Sequence, residues 1–190
     1  MRAAMMARRI ALEDTVRIIA VWLHILGVAL FVGPQFFLAM AWVPASRKIV
    51  DLPTRVAAMR VVTRRFGYIG GMGLMLILVA GLYLITSWRD YYGVPDDAEF
   101  TSIRYGLVFI IKMNVLLVML AVVGLHTFVV GPRQLAKLEA QARGEKVTDE
   151  ELRAIRMRSM ALSITGLVLA LVLMVMGVMM NTANWSLQDA

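Results

Sequence analysis

The chain has 190 residues, of which 60% are apolar and 17% charged, with a mean hydropathy of +0.73; that balance excludes an ordinary soluble domain. The absence of cysteine excludes disulfides, thiolate metal sites and thiol nucleophiles together. The formal charge of +7 fits basic loops beside a bilayer, so no nucleic-acid partner is expected.

Residues 1–17 are polar and the apolar run that follows is long and lacks a small-residue cleavage site, so no cleavable leader is expected there. Four charge-free runs follow, at 18–46, 66–88, 113–132 and 159–188. Each reaches the roughly 20 residues that cross a bilayer's hydrocarbon. Backbone groups find no water in that layer, so runs of this length cross as helices. The fold expected is all-α: an integral membrane four-helix bundle with short cytoplasmic helical extensions. It forms a single domain, with spans at about 18–43, 66–88, 105–131 and 159–182.

The first run contains His24, Gln35 and the pair Gly33-Pro34, which predicts a kink where the proline removes a backbone donor. His24 and Gln35 are close to three turns apart and share one helix face. The loop 47–65 carries six Lys or Arg, and Asp51 with Pro53 predicts a basic helical lead into the second span. Asp90, Asp96, Asp97 and Glu99 then form an acidic loop. The third span takes in Lys112, Asn114 and His126; Lys112, Met119 and His126 repeat every seven residues along one stripe. Gly131-Pro132 is expected to end this helix and start a short one stopping near Gly144. Thr148-x-x-Glu151 reads as a capping box for the last long helix, and segment 133–158 adds seven more Lys or Arg.

Thirteen basic residues on the two basic segments outweigh the six that the opposite arrangement would favour: Arg2, Arg8, Arg9, Arg17, Arg89 and Arg104. The positive-inside rule therefore places both basic loops in the cytoplasm and both termini outside. Trp22, Trp88 and Trp185 then lie near the outer interface and Trp42 near the inner one. Three pairs of small residues at four-residue spacing, Ala29/Gly33, Gly67/Gly71 and Gly166/Ala170, are expected to pack helices closely.

Ionisable groups inside the membrane mark functional sites by default. At 1.5 Å per residue, His24 and Lys112 fall at similar depth near the outer face, where the last span brings Met176, Met179, Met180 and Asn181. Imidazole and thioether select Cu(I), so His24 with Met176, Met179 or Met180 is a candidate copper site; the fifteen methionines also serve as ordinary packing. His24 and His126 differ by roughly 20 Å along the membrane normal, which disfavours one haem b held by both. A haem held by a single histidine stays open.

The stretch Val21-Trp22-Leu23-His24-Ile25-Leu26-Gly27-Val28-Ala29-Leu30-Phe31-Val32-Gly33 resembles the first helix of the copper-resistance D (CopD-type) membrane proteins. Arg64-Arg65-Phe66, Ile111-Lys112 and Leu125-His126 before Pro132-Arg133 resemble that family's second and third helices. HemJ-type protoporphyrinogen oxidases are distantly similar, placing a histidine early in helix one and a lysine followed by a histidine in helix three. The resemblance implies a bacterial inner-membrane protein handling copper or haem b, with His24, Lys112 and His126 at the matching positions. Met179-Met180-Asn181-Thr182-Ala183-Asn184 has no counterpart of the HemJ-type Arg-x-x-Asn-Glu ending.

Three functions are thus expected from the sequence. The first is copper handling or import, with Cu(I) accepted at the outer His/Met layer. The second is a haem-b redox protein using His24 or His126 as axial ligand, with Lys112 meeting a carboxylate. The third is a non-catalytic subunit of a larger respiratory or photosynthetic membrane complex. The bilayer is the expected partner in each, with a homo-oligomer or larger assembly open.

Overall fold

The computed structural model describes residues 2–190, with side chains from residue 11 onward; the side chains of Arg2, Arg8 and Arg9 lie outside the described residues. The chain is all-α. In order, α1 spans Arg2–Phe37, α2 Val43–Ser46, α3 Leu52–Thr86, α4 Trp88–Tyr92, α5 Arg104–Leu125, α6 Gly131–Ala142, α7 Asp149–Asn181 and α8 Ala183–Ser186. Four helical stretches are long and apolar enough to cross a membrane: Ala11–Ser46, Leu52–Thr86, Arg104–Ala142 and Asp149–Asn181. The protein is therefore a multi-pass membrane protein. Few of the large apolar side chains on these helices are buried, as expected where lipid is the solvent.

Local chemistry sets the helix ends. Asp51 caps α3 by accepting the Thr54 N–H at 2.9 Å. At α7 both halves of the expected capping box form, Thr148 Oγ1 accepting from the Glu151 N–H and the Glu151 carboxylate accepting from the Thr148 N–H. Thr148→Ala should cost about 1 kcal/mol, read as lowered thermal stability. The Glu151 carboxyl is held below its ordinary value of 4.5, first by the hydrogen bond from Lys137 and then by the Thr148 backbone. A depressed carboxyl stabilises above its unfolded value and loses that contribution as pH falls through the folded one. Amide protection at Glu151 and Leu152 should hold above pH 4.5 and decline below it; unchanged protection down to pH ~2.5, well under the reference carboxyl range, would refute the cap's role.

Two prolines produce a different outcome from a helix end. Leu38–Trp42 and His126–Val130 are π-helical turns, closed by Val43 N–H bonding to the Leu38 carbonyl and Gly131 N–H bonding to the His126 carbonyl. Pro44 and Pro132 follow immediately. Each proline lacks an N–H and would collide with the carbonyl four residues back; widening the preceding turn moves that carbonyl aside. The expected stop at Gly131-Pro132 is thus corrected: the chain stays helical through it to Ala142 and turns at Gly144, whose φ of +81° suits glycine.

The chain divides into two compact units, the boundary falling within the first and second long helices. Unit 1 comprises the chain up to Phe36 with Phe66–Asp96; unit 2 comprises Phe37–Arg65 with Asp97–Ala190. In unit 1, α1 and α3 meet at two glycines. A Cβ on Gly27 would lie 2.7 Å from the Gly73 carbonyl oxygen, and one on Gly73 would lie 2.7 Å from the Gly27 oxygen and 2.8 Å from Phe31 N. Only hydrogen fits at either position, so the backbones touch. The expected pairs Ala29/Gly33 and Gly67/Gly71 do not serve this purpose, since a Cβ on Gly33, Gly67 or Gly71 would meet nothing within 4 Å.

In unit 2, α5 and α7 run antiparallel in one register. Arg104 stacks on Trp185, Lys112 reaches Gly177, Gly166 meets Val123, and His126 meets Ser163. The expected Gly166/Ala170 pair does lie in this seam, with Ala170 only 3% exposed. At the Arg104 end of the pair, Arg104 N–H bonds to the Gln188 carbonyl at 3.0 Å and Ile103 bridges Asp189, closing the C-terminal segment over the start of α5. At the basic end, Arg60 of α3 pairs with Glu139 of α6, and Lys137 of α6 with Glu151 of α7 at 3.1 Å.

Candidate cofactor site

Unit 1 presents one ionisable group of interest within its apolar runs, His24, and unit 2 presents two, Lys112 and His126. In unit 1 the Gly27–Gly73 contact brings α3 so close that His24, nearly one turn before Gly27, reaches its backbone. His24 Nδ1 lies 3.1 Å from the Ile77 carbonyl oxygen. A carbonyl only accepts, so Nδ1 carries the proton, and the lone pair of the neutral ring lies on Nε2. A ring N–H held by a backbone carbonyl in this way orients imidazoles that bind metals and haem iron through the other nitrogen. The ring lies over Gly81, where a Cβ would come within 3.2 Å of Cε1 and 3.5 Å of Nδ1. Gly73, Ile77 and Gly81 recur every four residues, so one face of α3 supplies the contact, the acceptor and the space.

At the end of unit 1 where the first charge-free run begins and the second ends, Arg17 Nη1 donates to Ser87 Oγ at 3.2 Å, and its guanidinium carbon lies 3.4 Å from the Tyr91 ring centroid. The arginine that the tail was expected to carry across the bilayer is thus seated against an aromatic surface.

In unit 2, Lys112 Nζ would lie 3.7 Å from a Cβ on Gly177, and among the described residues it has no hydrogen-bond or ion-pair partner. Gly177 sits between Met176 and Met180, which are 9% and 8% exposed, whereas Met179 on another face is half-buried. An uncompensated ammonium therefore stands on the very turn that carries two of the expected thioether ligands.

His126 has a different environment. Its Nε2 lies 3.1 Å from both Ser159 Oγ and Ser163 Oγ, one turn apart on α7. Two hydroxyls on one ring nitrogen engage Nε2 within the protein and leave Nδ1 as the only nitrogen for another partner. Lys112 and His126 stand 14 residues apart on one continuous helix, roughly 21 Å at 1.5 Å per residue, and are not brought together. Gln35 and Asn114 donate to carbonyls of their own helix, Phe31 at 3.1 Å and Ile110 at 2.9 Å.

The sequence reading overlooked Ser159, Ser163, Ile77, Gly73 and Gly81. The serines sit in an apolar run and carry no charge, and their i, i+4 spacing was the available signal. The glycines were hidden because small-residue spacing within one helix does not identify a pair across two. Among the described residues no three His, Cys, Asp or Glu side chains gather as a metal cluster. No family model, curated protein or solved structure matches this chain.

Proposed function

We propose that this chain is a haem-b-binding redox protein of the bacterial inner membrane, akin to the CopD and HemJ types, with His24 as the imidazole ligand to iron. The observation that carries the reading is the bond from His24 Nδ1 to the Ile77 carbonyl at 3.1 Å, which fixes the ring and its tautomer, so that Nε2 carries the lone pair an iron would take. Against the copper reading, Lys112 puts an ammonium on the turn of Met176 and Met180, where it opposes a monovalent cation. The basic loops lie in the cytoplasm and the termini on the other side.

The copper reading keeps one observation in its favour, the burial of Met176 and Met180 one turn apart. One preparation decides between them: protein purified in detergent, with its visible spectrum recorded oxidised and reduced and its copper measured on the same sample. The haem reading predicts a Soret band that His24→Ala removes while helicity is kept. Stoichiometric copper without a Soret band would overturn it.

A further inference from the structure

Unit 1 has a groove of about 200 Å³ between α1 and α3, lined by Val16, Ile19, Ala20 and Leu23 on one side and Leu76, Val79, Ala80 and Tyr83 on the other. Both sets follow the i, i+3, i+4, i+7 spacing of one helix face. Ala20 and Ala80, 7% and 5% exposed, form the floor, while Val79 at 65% is open to the surroundings. At membrane depth those surroundings are acyl chains.

The groove has one polar end. Arg17 lies one residue from Val16, where the first charge-free run begins, and Ser87 and Tyr91 lie where the second run ends. Arg17 is therefore at headgroup level, with the groove running inward from it. Its contacts are Ser87, Tyr91 and Tyr92, and no carboxylate among the described residues pairs with it. Tyr92 does not neutralise it, because burial raises that hydroxyl above the ordinary phenol range, with the Arg17 charge opposing. A fixed cation at headgroup depth above an apolar channel open to lipid is complementary to one kind of molecule.

We propose that the α1–α3 groove of unit 1 binds an anionic phospholipid, its phosphate on Arg17 and one acyl chain along Ile19, Leu23, Leu76 and Val79. The site is independent of the haem reading.

The test uses the full chain in detergent micelles carrying equimolar phosphatidylglycerol and phosphatidylcholine with identical acyl chains, followed by repurification and quantification of retained lipid. One basic residue near a membrane surface is worth about a fivefold preference for an anionic headgroup, so wild-type protein should retain phosphatidylglycerol over phosphatidylcholine by about that ratio. Arg17→Gln should remove this share of the preference, and Arg17→Lys should keep it. Val79→Trp, which fills the channel from its exposed rim, should lower retention of both lipids. Equal retention of the two lipids by wild-type protein, or a ratio unmoved by Arg17→Gln in a variant of normal helicity, overturns the site. Recovery as a lipid-free dimer would also overturn it, assigning the groove to a second copy of the chain.

Discussion

Gly73→Ala is expected to destabilise the protein by about 1–3 kcal/mol, the range for overpacking a closely fitted contact, whereas Gly71→Ala should stabilise it. Both replacements add one methyl group, and alanine favours a helix interior over glycine by about 1 kcal/mol. At Gly71 the new Cβ meets nothing within 4 Å, so the propensity gain remains. At Gly73 it would come within 2.7 Å of the Gly27 carbonyl oxygen and 2.8 Å of Phe31 N, both backbone atoms that move only if the helices separate. Separation would also carry the Ile77 carbonyl away from His24. Thermal unfolding of the two variants in one detergent should therefore give shifts of opposite sign. Equal shifts would mean that the α1–α3 contact is not close.

Lys112→Met is expected to stabilise the protein by about 1–3 kcal/mol, the order of the penalty for a charge within a span. Lys112 has no hydrogen-bond or ion-pair partner among the described residues, and methionine fills similar volume beside Gly177. Lys112→Arg, which keeps the charge, should bring no such gain. If Lys112→Met instead lowers thermal stability in the same detergent, the ammonium has a structural role.

The sequence carried the four spans plainly, because charge exclusion over some twenty residues is a coarse signal that tertiary packing does not override. The capping box at Thr148 and Glu151 was equally legible, being complete within four residues. Gly131-Pro132 was ambiguous for a physical reason. A proline forbids one hydrogen bond, and the chain can answer by stopping or by widening the turn before it. Here α6 is held by the Arg60–Glu139 and Lys137–Glu151 pairs, contacts from distant segments that no local pattern reveals. The candidate site was half legible. His24 and Lys112 stood out as ionisable groups in apolar runs, but what fixes the first is a backbone carbonyl, and carbonyls belong to every residue. His126 looked equivalent to His24 in sequence, yet Ser159 and Ser163 give it a hydrogen-bonded structural setting.

The most direct measurement asks whether His24 supplies the ligand itself. His24→Gly opens a space the size of the side chain beside Gly81, and free imidazole added to the purified variant can enter it. The account predicts that the Soret band is lost in His24→Gly and returns, titrating with imidazole, while helicity stays constant throughout. A Soret band that persists in His24→Gly without imidazole would contradict it, because iron would then be held by another residue.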